Sequence, residues 1–222
     1  ICEYLIRFFT PTTEVELCGH GTMAAAFVIF EAMQPHERKT EILFHSQKRG
    51  ILKVAKETGS DLLSLDFPAD VISTADDLKS LPLKECFGSL PDETFLGSGG
   101  DYLMVYASAA EVKSLRPTSS AILKYFPATT RGIICTAPGD SQGEDFVSRW
   151  FGPHVGVDED PVTGSAHTTL AVYWGKRLHK DRMRARQVSA RGGLLDCSLT
   201  EQGRVAISGS AVCYMKGEIS LS

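Results

Sequence analysis

Two helix-like segments of this sequence begin with the same kind of turn, and acidic residues precede each turn. Residues 18–22 read CGHGT and residues 163–167 read TGSAH, and each turn leads into an apolar segment. Gly19 and Gly164 therefore occupy matching places in the two halves of the chain. This repetition predicts an internal duplication, with strands around a central helix in each half and the two helix starts meeting across a cleft. A small molecule is expected to bind in such a cleft.

The segment after the first turn constrains the fold further. Residues 23–33 read MAAAFVIFEAM, which favours a helix without a polar face. A short helix that is apolar all round is expected to be enclosed by protein rather than by lipid.

Short segments rich in branched and aromatic residues predict strands separated by glycine-containing turns. They lie at 4–9, 41–44, 51–55, 62–67, 102–106, 132–136, 146–151, 184–189, 194–199, 205–208 and 211–215. Turn residues at 88–91 predict a boundary between an N-terminal lobe at 1–90 and a C-terminal lobe at 91–222. The chain starts without Met and directly with a strand-like segment, which predicts that the N-terminal lobe lacks an opening segment.

Composition argues against several classes of protein. The formal net charge of −4 provides no basic surface, so nucleic acid is not an expected partner. The six cysteines are scattered without a CxxC pair, which predicts free thiols, no metal site and a cytoplasmic location. The longest apolar run, at 23–30, is too short to span a bilayer, and no signal peptide is recognisable, so no membrane association is expected.

Acidic residues stand beside both predicted helix starts. A helix start leaves N–H groups unpaired and carries a partial positive charge, so two opposed starts suit a carboxylate or an enolate. Partial burial would raise the pKa of a carboxyl group that faces the cleft and make it a useful acid or base. The spacing does not choose among the candidates, and such acids also stabilise helices without any catalysis. The candidates are Glu14, Glu16, Asp158, Glu159 and Asp160.

Other reactive side chains lie inside the two turns. His20 and His167 are each explained as well by a structural role as by catalysis. Cys18 stands at a helix start, where thiols become more reactive, and is a candidate base or nucleophile. Its counterpart is Thr163, so a two-thiol mechanism is not expected. Ser165 has no Ser-His-Asp context and is interpreted as a helix cap and hydrogen-bond donor.

Three segments together resemble the phenazine-biosynthesis-like (PhzF) family. They are residues 9–22 (FTPTTEVELCGHGT), residues 148–167 with the SRWFGP and EDPVTGSAH motifs, and residues 187–193 (QVSARGG). The resemblance implies the diaminopimelate-epimerase-like α+β fold, in which two similar lobes each wrap a curled, mostly antiparallel sheet around a central helix. It also implies an isomerase that needs no cofactor or metal. The best-known member moves a proton on a hydroxylated anthranilate-type acid.

The resemblance also implies roles for individual residues. It places the catalytic glutamate on Glu14 and the aspartate of the second motif on Asp160, while a substrate-contacting histidine falls loosely on His45. Relatives carry an opening segment with a Gly-Asn-Pro turn, and the phenazine enzyme has another residue in place of Cys18. The expected substrate-binding residues are Cys18, Gly19, His20, Gly21, Thr22, His45, Thr163, Gly164, Ser165 and Ala166.

Three hypotheses follow from the sequence. The leading one is a cofactor-independent isomerase in which Glu14 moves a proton on a small carboxylic acid and Asp160 orients the substrate or serves as partner acid. The second is a member of the family that binds a small molecule or another protein without catalysis. The third is an epimerase that depends on Cys18. A homodimer is the expected assembly, and the substrate itself is not predicted.

Overall fold

The computed structural model describes residues 2–10, 12–33, 39–48, 50–140, 143–218 and 220, and it has an α+β fold. Its strands are β1 (Cys2–Ile6), β2 (Phe8–Phe9), β3 (Glu14–Val15), β4 (Glu41–Ser46), β5 (Gly50–Lys56), β6 (Leu63–Pro68), β7 (Ile72–Thr74), β8 (Glu93–Gly97), β9 (Asp101–Val105), β10 (Gly132–Pro138), β11 (Phe146–Gly152), β12 (Val157–Asp160), β13 (Arg182–Gln187), β14 (Gly193–Leu199) and β15 (Arg204–Gly209). Its α-helices are α1 (Gly19–Ala32), α2 (Leu83–Phe87), α3 (Ala109–Ser114), α4 (Ser119–Tyr125) and α5 (Ala166–Leu178). Two 3₁₀ turns lie at Asp76–Ser80 and Pro153–Val155.

One large mixed sheet runs through both halves of the chain. Its strand order is β1-β4-β5-β6-β15-β14-β13-β11-β10-β9-β8-β7, with β12 attached to β11. Most neighbouring strands are antiparallel, and the parallel pairs are β1 with β4, β9 with β10 and β11 with β13. Strand β6 of the first half pairs with β15 of the second, so backbone hydrogen bonds cross the predicted division. The division into two lobes at residue 90 stays a prediction.

Two apolar clusters pack against this sheet. The larger one joins both halves, since Phe44 and Leu65 belong to the same cluster as Leu170 and Trp174. The smaller one lies within residues 75–151, extended by Val188 at its edge. Helix α5 lies at the centre of the larger cluster, where Trp174 is 1% exposed and stacks on Phe146 with ring centroids 5.8 Å apart. This packing fixes the orientation of α5 and therefore the direction of its N-terminus.

Helix α1 is not enclosed, contrary to the prediction from its apolar sequence. Its buried residues are Gly19, Thr22 and Ala26, which lie on one face because they are three and four positions apart. That face packs on β5 and β6, while Val28 on the opposite side is 63% exposed. Ala24 and Ala32 are also exposed, and such small side chains lose little hydrophobic stabilisation when they are left uncovered. None of the helices in the described residues is long and apolar enough to cross a membrane.

The predicted strand at 211–215 is also absent. Strand β15 already pairs with β6 on one side and β14 on the other, so the chain that follows it finds no free edge there. Residues 211–218 have no regular secondary structure, and Tyr214 is 97% exposed.

Candidate active site between two helix starts

The starts of helices α1 and α5 touch each other. A Cβ atom on Gly19 would lie 3.1 Å from the Cα atom of Gly164 and 3.5 Å from the backbone nitrogen of Ser165. The two backbones approach this closely because neither glycine carries a side chain. The juxtaposition predicted from the repeated turn is therefore confirmed, and it joins the positive ends of both helices.

Residues around this contact line a cleft of about 1280 Å³. Most predicted site residues lie in its wall: Glu14, Cys18, Gly19, His20, Gly21, Asp160, Thr163, Gly164 and Ser165. Both halves of the chain thus contribute to one concave site, as expected for binding a small molecule.

Three predicted binding residues do not line the cleft. Thr22 is buried, and its hydroxyl group donates a hydrogen bond of 2.8 Å to the carbonyl oxygen of Cys18. Ala166 is 1% exposed and belongs to the core. His45 lies on β4, where Phe44 and Ser46 face inward and His45 faces the other side. Its Nε2 atom is 3.0 Å from a carboxylate oxygen of Glu3, so its expected contact with substrate is not supported.

His20 is the side chain that links the two helix starts chemically. It stands on α1, yet its Nδ1 atom lies 3.0 Å from the carbonyl oxygen of Val162 in the other half of the chain. Because a carbonyl oxygen only accepts, Nδ1 carries a proton. Its Nε2 atom lies 3.4 Å from the Sγ atom of Cys18, and Nδ1 lies 3.8 Å from a carboxylate oxygen of Asp160.

These contacts raise the pKa of His20 to about 9. The hydrogen bond with Cys18 is the main cause, while partial burial opposes it and the charges of Cys18 and Asp160 and the carbonyl of Val162 add to it. The imidazole ring is therefore protonated at neutral pH. The cleft contains a cationic acid directly beside two helix starts.

Asp160 is held in place by its own loop. Its carboxylate accepts a hydrogen bond of 2.5 Å from the hydroxyl group of Thr163, and its side chain is only 13% exposed. The amide of Gln187 fixes the loop by donating to the carbonyl oxygen of Asp160 over 2.6 Å and accepting from the backbone nitrogen of Thr163 over 2.7 Å. Gln187 stands in the third motif, but its spacing gives no sign of this role.

Glu14 lies in the cleft wall but is paired with Arg7. The guanidinium group donates two hydrogen bonds of 2.9 Å, one to each carboxylate oxygen. Strands β2 and β3 form a hairpin with Phe9 opposite Glu14, which brings Arg7 alongside. This hydrogen bonding lowers the pKa of Glu14. The expected net rise in the pKa of Glu14 is not found, because the hydrogen bonds from Arg7 outweigh the opposing effect of burial.

Two of the remaining acidic candidates have structural partners. Glu159 accepts two hydrogen bonds from Arg149, of 2.7 and 2.9 Å, and Asp158 accepts one of 2.6 Å from Ser119. His167 also has a structural position, since it is fully buried and its Nδ1 donates to the carbonyl oxygen of Thr163 over 2.8 Å. Burial lowers the pKa of His167 to about 4.

Sequence reasoning missed Arg131, which also lines the cleft. Its Nη1 atom donates a hydrogen bond of 2.9 Å to the hydroxyl oxygen of Ser165, and its Nη2 atom donates to Asp101. Arg131 stands outside every motif, and only the pairing of β9 with β10 brings it to the site.

Comparison with known proteins identifies the chain. The family described as phenazine biosynthesis-like protein matches residues 2–217. The chain belongs to this family. An uncharacterized isomerase of Pseudomonas aeruginosa is 44% identical over 217 residues, which cover 98% of this chain and 78% of that protein. The mouse phenazine biosynthesis-like domain-containing protein 1 is 38% identical over 227 residues, covering 97% of this chain and 77% of that protein.

A crystal structure from the same family confirms the fold. The phenazine biosynthesis protein of the PhzF family from Enterococcus faecalis superposes with a TM-score of 0.85 at 39% sequence identity. The match covers 98% of this chain and 78% of that one. The family resemblance of the three sequence motifs is thereby confirmed, together with the α+β fold.

Proposed function

We propose that this protein is an isomerase that moves a proton on a small carboxylic acid bound between the two helix starts. Membership of the phenazine biosynthesis-like family and the isomerase names of its relatives support an isomerase-type role. The position of His20, a cationic acid in the cleft that is bonded to both halves of the chain, is the observation that carries the proposal.

The chemistry follows from the charges in the cleft. The helix starts neutralise the substrate carboxylate, which makes the adjacent C–H group more acidic. The neutral form of His20 takes the proton from this C–H group, and the protonated ring then returns it to the substrate at its new position. Asp160, 3.8 Å from the ring, stabilises the charged form. The role that the resemblance assigns to Glu14 requires its carboxylate to leave Arg7, to which it makes two hydrogen bonds.

Deuterium exchange tests this proposal directly. The purified protein is incubated in D₂O with a panel of small carboxylic acids, without added cofactor and with a chelator, and C–D formation is followed by NMR. We expect exchange in at least one acid, and a loss of about a hundredfold or more in His20→Asn, as is typical for removal of a general acid or base. His179→Asn is the matched control, because His179 is exposed at the end of α5 with a φ of 55°, a conformation that asparagine tolerates.

Two results would contradict the proposal. Undiminished exchange in folded His20→Asn would remove His20 from the mechanism. Binding of an acid, detected as a rise in melting temperature, without any exchange would favour the non-catalytic member of the family.

A second candidate function rests on the contact between Cys18 and His20. The Sγ atom lies 3.4 Å from Nε2 at the start of α1, an arrangement that suits a thiolate base in a Cys18-dependent epimerase. Thr163 at the matching place before α5 donates its hydroxyl proton to Asp160, so a second thiol base is not present there. Cys18→Ala would abolish exchange under this hypothesis, whereas Cys213→Ala, a change at an exposed free thiol, would not.

The location and assembly stay predictions from the sequence. A cytoplasmic location is expected from the scattered cysteines of the sequence. The expected homodimer is tested by light scattering of the purified protein.

A further inference from the structure

The guanidinium group of Arg131 is held by hydrogen bonds in the wall of the cleft. It donates to the hydroxyl oxygen of Ser165 over 2.9 Å and to the carboxylate of Asp101, and the backbone nitrogen of Arg131 donates to Gly100 over 2.9 Å. The side chain is still 27% exposed and lines the cleft. Arg131 therefore presents a positive charge to a bound molecule in a defined orientation.

The carboxylate of Asp101, which holds the guanidinium group of Arg131, is completely buried. Asp101 is 0% exposed, and the indole nitrogen of Trp150 donates to the same carboxylate oxygen over 3.1 Å. Burial raises the pKa of Asp101, and the charge of Arg131 opposes that shift. A buried carboxylate without its cation would be strongly destabilising, so this pair holds the guanidinium group rigidly.

Two glycines make room for Trp150. A Cβ atom on Gly132 would lie 2.2 Å from the indole ring, and a Cβ atom on Gly152 would lie 2.2 Å from the ring's far edge. No side chain would be accommodated at either position without moving the tryptophan. The support of Arg131 therefore depends on residues from three neighbouring strands.

Ser165 binds the guanidinium group of Arg131 next to the start of α5. It stands at the N-cap position of α5, but its side chain accepts no hydrogen bond from the helix, contrary to the prediction that it acts as a helix cap. Its oxygen accepts from Arg131 instead, which leaves the hydroxyl proton available for donation into the cleft. A carboxylate placed there would meet a hydroxyl donor, a guanidinium group and the positive end of α5.

We propose that Arg131 and Ser165, with the start of α5, form the subsite that binds the substrate carboxylate. Arg131 acts as a positioning residue, and the start of α1 with His20 is left to face the reacting carbon atom. The inference rests on the proposed function and specifies which residues hold the acid group.

Alkylation of Cys18 reports on this subsite without any knowledge of the substrate. Iodoacetate and iodoacetamide present the same electrophilic carbon, and each forms an S–C bond with the thiolate and releases iodide. Only iodoacetate carries a carboxylate. Cys18 lines the cleft and is followed by Gly19, whose Cβ position is 3.5 Å from the backbone nitrogen of Ser165. Peptide mass spectrometry at low ionic strength measures both rates at Cys18 and at the exposed Cys213.

We expect the ratio of the iodoacetate rate to the iodoacetamide rate to be higher at Cys18 than at Cys213. In Arg131→Gln this ratio should fall about fivefold to tenfold, as expected for losing one charge near a partly shielded site. Ser165→Ala should lower it by a smaller factor. Asp101→Asn combined with Arg131→Gln removes both charges of the buried ion pair, so it should lower the ratio by a smaller factor, through loss of the guanidinium donor. It keeps the test valid where Arg131→Gln alone does not fold.

Arg204→Gln is the matched control. Arg204 also lines the cleft, and its guanidinium group donates to Asp66 over 2.7 Å. An equal fall of the ratio in Arg204→Gln, or an unchanged ratio in the folded double variant, would overturn the proposal. Alkylation does not require turnover, so the two proposals can fail separately. If the Arg131 variants lower the ratio of alkylation rates but the protein shows no deuterium exchange, the subsite is supported and the isomerase is rejected. If the protein shows exchange but the ratio is unchanged in these variants, the isomerase is supported and the subsite is rejected.

Discussion

Gly19 and Gly164, from opposite halves of the chain, are in direct backbone contact. A Cβ atom on Gly164 would lie 3.3 Å from the Cα atom of Gly19, closer than such atoms normally approach. The contact places the start of α1 against the start of α5. It also explains why both turns carry glycine at the same place.

Gly164→Ala should therefore destabilise the protein. The added methyl group meets backbone rather than a flexible side chain, and overpacking of this kind costs about 1–3 kcal/mol. Urea unfolding measures the loss, and Gly217→Ala is the control because a Cβ atom there has no neighbour within 4 Å. Equal stability of the two variants would show that the helix starts are free to separate.

The sequence predicts this contact because it depends on a repeated local pattern. A glycine turn before an apolar segment indicates a helix start, and its repetition in the second half indicates a partner. The acidic residues before each turn are equally visible in the sequence. The cationic partners of these acidic residues are not visible in the sequence, because Arg7 reaches Glu14 only through the hairpin of β2 and β3.

The support behind Arg131 could not be predicted for a similar reason. Arg131, Asp101 and Trp150 lie on separate stretches of chain, and sheet register alone brings them together.

The exposed face of α1 was not predicted for a different reason. An apolar pattern predicts burial of a helix but does not say which element covers each face, and among the described residues only one face of α1 is well packed.

The pKa of His20 should depend on Cys18. The hydrogen bond that the protonated ring donates to the sulfur atom of Cys18 is the main cause of the rise to about 9, so Cys18→Ala should bring the pKa of His20 down toward 6.5. An NMR titration of the His20 ring protons measures both values. A midpoint near 6.5 in the unchanged protein would contradict the role of this contact.

The same shift makes His20 a stabilising group at low and neutral pH. Its pKa is raised on folding, so its contribution is complete below about 6.5 and is lost as the pH rises through about 9. His20→Asn should therefore be less stable than the unchanged protein below about pH 6.5, and this difference should disappear as the pH rises through about 9. Because the side chain is 53% exposed, solvent screening should keep the effect at about 1 kcal/mol or less.

Glu14→Gln should retain most of the deuterium exchange if His20 is the acid. Arg7 lowers the pKa of Glu14, which makes this carboxylate a weak base at neutral pH. We expect a reduction of about tenfold or less in exchange rate, against about a hundredfold or more in His20→Asn. Arg7→Gln serves as the companion variant because it frees the carboxylate without removing it. A complete loss of exchange in folded Glu14→Gln would restore the role that the family resemblance assigns to Glu14.

Acid should destabilise the protein partly through His167. The folded state keeps this ring neutral, since Nδ1 donates to Thr163 and burial lowers the pKa to about 4. The unfolded state takes up a proton below about pH 6.5, so the stabilising contribution is lost as the pH falls from 6.5 toward 4, by about 3 kcal/mol in total. His167→Gln retains an N–H donor for Thr163 but does not titrate. Its stability deficit at pH 7 should shrink or reverse by pH 4.5 in urea unfolding. A deficit for His167→Gln that stays constant between these pH values would show that His167 does not titrate on unfolding.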